Sequence, residues 1–240
     1  MCTVTLVPNK ARKDSFTLTS NRDEAINRET IAPEFYEIND VKMLFPKDAI
    51  AGGTWIGLSE KKRVVCLLNG GFKLHERQLP YRMSRGIVVK DVLGCENIEE
   101  TLQSYNFDNV EPFTLVIADW NQGLRFYEMV WDGNKAHFKE LPLTTHIWSS
   151  STLYTDEMKA KRRHWFAKYQ LQHKLTPENL LDFHLNAGEG DSNVDLQIDR
   201  GMLKTISITQ VVKIDEEPTM RYENLNTKNV LATKFEPATL

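Results

Sequence analysis

Short runs of β-branched and apolar residues dominate the first third of the chain. Cys2 to Val7, Ser15 to Ser20, Thr54 to Ser59 and Arg63 to Leu68 are bounded by Pro, Asn, Lys or Gly, which predicts four strands. Arg28 to Gly53, interrupted by Pro33 and Pro46, reads as a loop. The period then lengthens. Ser84 is placed to cap a helix carrying Ile87, Val88, Val92 and Leu93 and ending at Gly94, and Glu96 to Tyr105 predicts a second helix. Phe113 to Ala118 and Leu124 to Trp131 flank Asp119-Trp120-Asn121-Gln122-Gly123 as a hairpin, and Ala136 to Leu141 adds a strand.

Thr155 to Gln172 carries Met158, Arg162, Trp165, Phe166 and Tyr169 near the helical period, and Thr176-Pro177-Glu178 opens a further helix with an N-cap and a proline in its first turn. Thr205 to Ile214 and Thr219 to Leu225 return to strand, separated by Asp215-Glu216-Glu217-Pro218, and no periodic pattern follows. Strands at both ends with helices between them imply a sheet assembled from both ends of the chain. No linker or repeat divides the sequence, so residues 1–240 are expected to form a single layered α+β domain.

Composition adds mainly exclusions. A hydrophobic fraction of 41% supports a sizeable core, and a net charge of -3 offers no general attraction to phosphate backbones, so no nucleic-acid partner is expected. No apolar run approaches bilayer length and the first residues lack signal-peptide character, which predicts no membrane insertion and a cytoplasmic location. Cys2, Cys66 and Cys95 form no paired spacing, and the six histidines form no ligand pattern, so neither a disulfide framework, a metal site nor a cofactor is expected.

Two positions carry candidate chemistry. Once Met1 is removed, Cys2 presents a thiol and an α-amino group on one residue; with ordinary pKa values of about 8.5 and 7.7 to 8.0, the amine serves as base for its own thiol. The alternative is a small apolar residue at the start of an edge strand. Asn21-Arg22-Asp23-Glu24 follows the strand ending at Ser20, either as a solvated turn or as a donor array in which the planar Arg22 fork sits beside carboxylates.

With these residues go G-G-T-W-I-G at 52 to 57, L-L-N-G at 67 to 70 and W-S-S-S at 148 to 151. In this order they resemble the landmarks of the NRDE family (Transport and Golgi organisation 2-like), over nearly the whole chain. That family is itself similar to cysteine N-terminal-nucleophile hydrolases such as choloylglycine hydrolases and penicillin V acylases. The resemblance implies a four-layer αββα sandwich with Cys2 as nucleophile, Arg22 and Asp23 beside it, and Asn69 donating to the oxyanion. Asn69 taken alone reads as a turn residue with positive φ. Trp55 is implied to pack beside the site, with Asn21 and Glu24 as further substrate contacts, although a buried aromatic at a strand is the plainer reading of Trp55.

The pattern departs from those hydrolases in three places. Their Arg and Asp are three residues apart, whereas Arg22 and Asp23 are adjacent and would point to opposite faces of a continuing strand. Ser150 stands near the position of a later Asn, and a hydroxyl lacks the two-donor amide. A late Arg of the hydrolases has only Arg200 and Lys204 as counterparts. Lys159, Lys161, Arg162 and Arg163 read either as a site for an anionic substrate or partner or, with Asp156 and Glu157 close by, as a solvated helix face, the commoner case. The resemblance implies an amidohydrolase acting on a non-peptide C–N bond of a small-molecule amide. Its alternative is a carrier of a hydrophobic ligand, such as haem or an acyl-CoA compound, in which Cys2 is no nucleophile.

Overall fold

The computed structural model describes residues 3–214 and 216–236. These divide into two compact units, residues 3–28 with the described residues of 144–234, and residues 29–143 with 235–236. Each unit holds one antiparallel sheet and two helices, which is the expected α+β class.

The first unit takes β1 (Thr3–Pro8) and β2 (Phe16–Ala25) from the start of the chain. From its latter part come β10 (His146–Ser149), α3 (Asp156–Gln172), α4 (Pro177–Asn186), β11 (Leu203–Lys213), β12 (Thr219–Asn224) and β13 (Val230–Lys234). The strand order β10-β1-β2-β11-β12-β13 joins the two ends of the chain, as the distribution of strands predicts. Thr155 and Thr176 cap α3 and α4 through their side-chain oxygens, and Pro177 occupies the first helical turn, where its missing N–H has no partner to lose. Both helices bury Trp165, Phe166, Leu180 and Phe183 against Val7 of the sheet and Leu196.

The second unit orders β3 (Thr30–Ile38), β4 (Val41–Asp48), β5 (Ile56–Ser59), β6 (Arg63–Asn69), β7 (Phe113–Asp119), β8 (Arg125–Trp131) and β9 (Ala136–Leu141) as one meander. Between β6 and β7 run α1 (Arg85–Gly94), capped by Ser84, and α2 (Ile98–Ser104), capped by Asn97. Alternate residues Val65 and Leu67, then Phe113, Leu115 and Ile117, meet Val88, Val92, Leu93 and Leu102 in a continuous core.

β3 and β4 replace the expected loop over Arg28 to Gly53. Asn39 and Asp40, with φ of 51° and 60°, make the tight reversal between them. Pro33 is tolerated because the pairing shifts register between Ile31 and Glu34, and Pro46 lies across that same irregularity. The G-G-T-W-I-G segment is a packing device. An added Cβ on Gly53 would lie 2.9 Å from Gly86 Cα, and one on Gly57 would lie 2.6 Å from Leu93 Cδ1, so both glycines let α1 settle on the strands. Arg63, at the start of β6, donates to the Val92 and Cys95 carbonyls at the end of α1 and pairs with Asp119. Burial raises the Asp119 pKa, and the Arg63 charge opposes that rise.

Candidate active site

The Asn21-Arg22-Asp23-Glu24 segment lies inside β2 rather than after it, which corrects both the expected strand end at Ser20 and the solvated turn. β2 is an interior strand, paired with β1 on one side and β11 on the other. Thr3, the residue after Cys2, stands opposite Asn21 on β2 and Ser149 on β10. Arg22 and Asp23 continue one and two residues beyond that row, where Arg22 faces Ser207 and Asp23 faces Thr205; Ile206 is the extra residue of a bulge. Met1 and Cys2 themselves, and with them the expected convergence on the Cys2 sulfur, lie outside the described residues.

The alternation of a strand separates the motif onto two faces. Asn21 and Asp23 point toward the helices. The Asn21 amide donates to the carbonyls of His184 at 3.2 Å and Leu196 at 2.8 Å, and its oxygen meets His184 Nδ1. Asp23 accepts from the Tyr154 hydroxyl on one oxygen and from Thr205 Oγ1, at 2.5 Å, on the other. Arg22 points to the opposite face, with Glu24 Oε2 3.8 Å from its guanidinium and Arg28 beyond Glu24 at 4.0 Å. Burial raises the pKa of Tyr222 on β12, while a Ser207 hydrogen bond and the Arg22 charge hold it back. Arg22 and Asp23 are each only 2% exposed.

Tyr154, His184 and Thr205, which the sequence did not single out, complete this arrangement together with Arg162. Arg162 is fully buried, not on a solvated face: its fork donates to the Val194 and Asp195 carbonyls, Nη1 reaches Thr3 Oγ1 at 2.8 Å, and the guanidinium stacks 3.4 Å over the Tyr154 ring. The signal was present, since Arg162 falls on the apolar stripe of α3 with Trp165 and Phe166. His184 Nε2 meets Thr5 Oγ1 at 2.8 Å. Burial first, and the Arg162 charge second, push its pKa down to about 3, so the ring is neutral at ordinary pH.

Ser150 lies directly after β10, buried, with Oγ 3.0 Å from Thr152 Oγ1 and its carbonyl accepting from Tyr154 N–H. Arg200 donates to the backbone carbonyls of Asn193 and Leu153, and Lys204 pairs with Asp199 at 2.8 Å.

In the second unit, Asn69 is the last residue of β6, half-buried and opposite Phe113. The positive φ falls on Gly70, at 87°, and not on Asn69, which corrects the reading of Asn69 as a left-handed turn residue. Trp55 is buried just before β5, and its carbonyl accepts from Leu67 N–H at 2.8 Å. Among the described residues no group of three or more His, Cys, Asp or Glu is gathered to hold a metal ion, and no helix is long and apolar enough to cross a membrane.

Two antiparallel sheets, each bearing a helix pair, define the fold of the N-terminal-nucleophile hydrolases. A conjugated bile acid hydrolase variant from Clostridium perfringens is similar at a TM-score of 0.54 and 12% identity, covering 97% of this chain and 92% of that one. The N-acylethanolamine-hydrolyzing acid amidase ortholog of Caenorhabditis elegans is similar at 0.60 and 13%, covering 88% and 92%. At these identities the likeness is one of fold. Residues 1–226 match the model of the Transport and Golgi organisation 2 family, and the chain belongs to that family. No curated protein matches it.

Proposed function

We propose that this chain is an amidohydrolase that cleaves a non-peptide amide C–N bond through a Cys2 thioester. The observation carrying this reading is the burial of Arg22 and Asp23 side by side in an interior strand whose neighbour begins directly after Cys2. Desolvating charges costs stability, and sites of chemistry are where that cost is accepted. Two proteins sharing the fold are, by name, a bile acid hydrolase and an acid amidase.

In this reading the α-amino group of Cys2, exposed by loss of Met1, takes the thiol proton and the thiolate attacks the amide carbon. The C–N bond breaks, the amine leaves with that proton, and water activated by the same α-amino group hydrolyses the thioester and restores the thiol. Ser150, buried directly after β10, is assigned to the developing oxyanion, and such a donor is worth about 3 kcal/mol of barrier in acyl transfer. Arg22 orients the reacting groups through its planar fork. Both carboxylate oxygens of Asp23 are engaged by hydroxyls and the Asn21 amide is engaged by backbone, which favours anchoring roles for these two. Glu24, half-buried beside Arg22, is assigned to substrate contact.

A screen of small N-acyl amides tests this: Cys2→Ala is expected to abolish turnover of any hit. Tight ligand binding by wild type and Cys2→Ala alike, with turnover by neither, would favour a carrier instead.

A further inference from the structure

The segment between β6 and α1 holds three largely exposed apolar side chains within eight residues: Phe72 is 54% exposed, with its ring edge-on to His137, Leu74 72% and Leu79 68%. Single exposed apolar residues are ordinary on a protein surface; a cluster on one loop marks an interaction site. This loop is held open. Glu111 gathers His75, Arg77 and Arg85 at 3.1 to 3.3 Å, Asn109 Nδ2 donates to the Pro80 carbonyl at 3.0 Å, and Arg82 bonds the carbonyls of Asp108 and Asn106. His75, Arg77, Pro80 and Arg82 are the points at which the loop is bonded to the segment 106–111.

The charge on the loop runs against that of the protein. Residues 71–85 contain Lys73, Arg77, Arg82 and Arg85 against Glu76, a balance of +3, or +2 with Glu111 counted, in a chain whose net charge is -3. Lys73 lies between Phe72 and Leu74 and is exposed with them. Apolar tips interleaved with cations match a surface that is apolar a few ångströms down and anionic on top, which is the headgroup boundary of an acidic bilayer.

We propose that residues 72–82 form a peripheral docking loop for anionic membrane surfaces, with Phe72, Leu74 and Leu79 entering the headgroup boundary and Lys73 pairing with lipid charge. Such docking brings the protein to a bilayer without a spanning helix.

Cosedimentation of the whole protein with vesicles of phosphatidylcholine, with or without phosphatidylserine, tests it. Binding should favour the serine-lipid vesicles by about tenfold at low salt and weaken as salt screens the loop. The Phe72→Ser/Leu74→Ser/Leu79→Ser variant should lose about tenfold or more in binding and Lys73→Gln about threefold, with an unchanged Tm, because these exposed side chains support no core. Absence of binding by wild type, or equal binding by the triple variant, overturns the proposal. A dimer seen by light scattering that the triple variant loses, without vesicle binding, overturns it in favour of a second copy of the chain as occupant.

Discussion

Arg162 on α3 donates from Nη1 to Thr3 Oγ1 at 2.8 Å, so a fully buried guanidinium holds the first described residue of β1, the one that follows Cys2. Its other donors close on Val194 and Asp195, and its flat face rests on Tyr154, whose hydroxyl reaches Asp23. One side chain thereby ties the start of the chain to helix, loop and the candidate motif.

Arg162→Ala leaves the part-buried Val194 and Asp195 carbonyls without the Arg162 donors and opens a void where a fully buried side chain stood, and should cost about 3 kcal/mol in urea unfolding. Arg162→Lys keeps the charge but not the fork and should recover only part of that loss. A loss under about 0.5 kcal/mol for Arg162→Ala would contradict the anchoring role.

Asp23 and Tyr154 share one hydrogen bond, so their substitutions should not add. Tyr154→Phe and Asp23→Asn are each expected to destabilise by about 1 to 3 kcal/mol, and the double variant by clearly less than their sum. Additive losses would mean that the contact contributes nothing of its own.

His184 gives the unit a pH dependence whose sign is fixed by burial. Its folded pKa, about 3, lies below the ordinary 6.5. Between those values the unfolded chain binds a proton that the folded chain does not. Stability is therefore full above pH 6.5 and falls by about 1.4 kcal/mol per pH unit as pH drops toward 3. Unfolding measured at pH 7, 6 and 5 should show wild type losing more stability than His184→Gln over the same range. Parallel pH profiles for the two would place the ring in a protonated, paired state instead.

The glycines of the second unit predict a graded series. A Cβ on Gly86 would lie 2.7 Å from the backbone nitrogen and oxygen of Thr54, whereas one on Gly57 meets a movable end, Leu93 Cδ1. Gly86→Ala should lower stability by about 3 kcal/mol and Gly57→Ala by less, read as Tm. The reverse order would show that the helix, not the side chain, gives way.

Much of the fold was legible because local chemistry and tertiary structure agree there. Ser84, Thr155 and Thr176-Pro177 start helices where capping predicts them, and the hairpin of β7 and β8 forms around the connection that contains Asn121 and Gly123. Pro33 and Pro46 hid β3 and β4, since a bulge that accommodates proline leaves no sign in the apolar pattern. β13 is an edge strand with almost every side chain exposed, so burial wrote no period into it. The motif residues 21–24 read as a strand end because they are polar. They remain in the strand because His184, Leu196, Tyr154 and Thr205 satisfy Asn21 and Asp23 from elements more than a hundred residues away. The candidate residues of the site could thus be named from the chain, but not the partners that hold them.

A Cys2 thioester leaves a mass on the protein, so mass spectrometry of the N-terminal peptide, taken from protein quenched during turnover of an N-acyl amide, decides whether the reaction is covalent. The expected result is a peptide that begins at Cys2 and carries the mass of the acyl group, absent in Cys2→Ala. Turnover by a chain whose N-terminal peptide still begins at Met1, or full activity in Cys2→Ala, would contradict it.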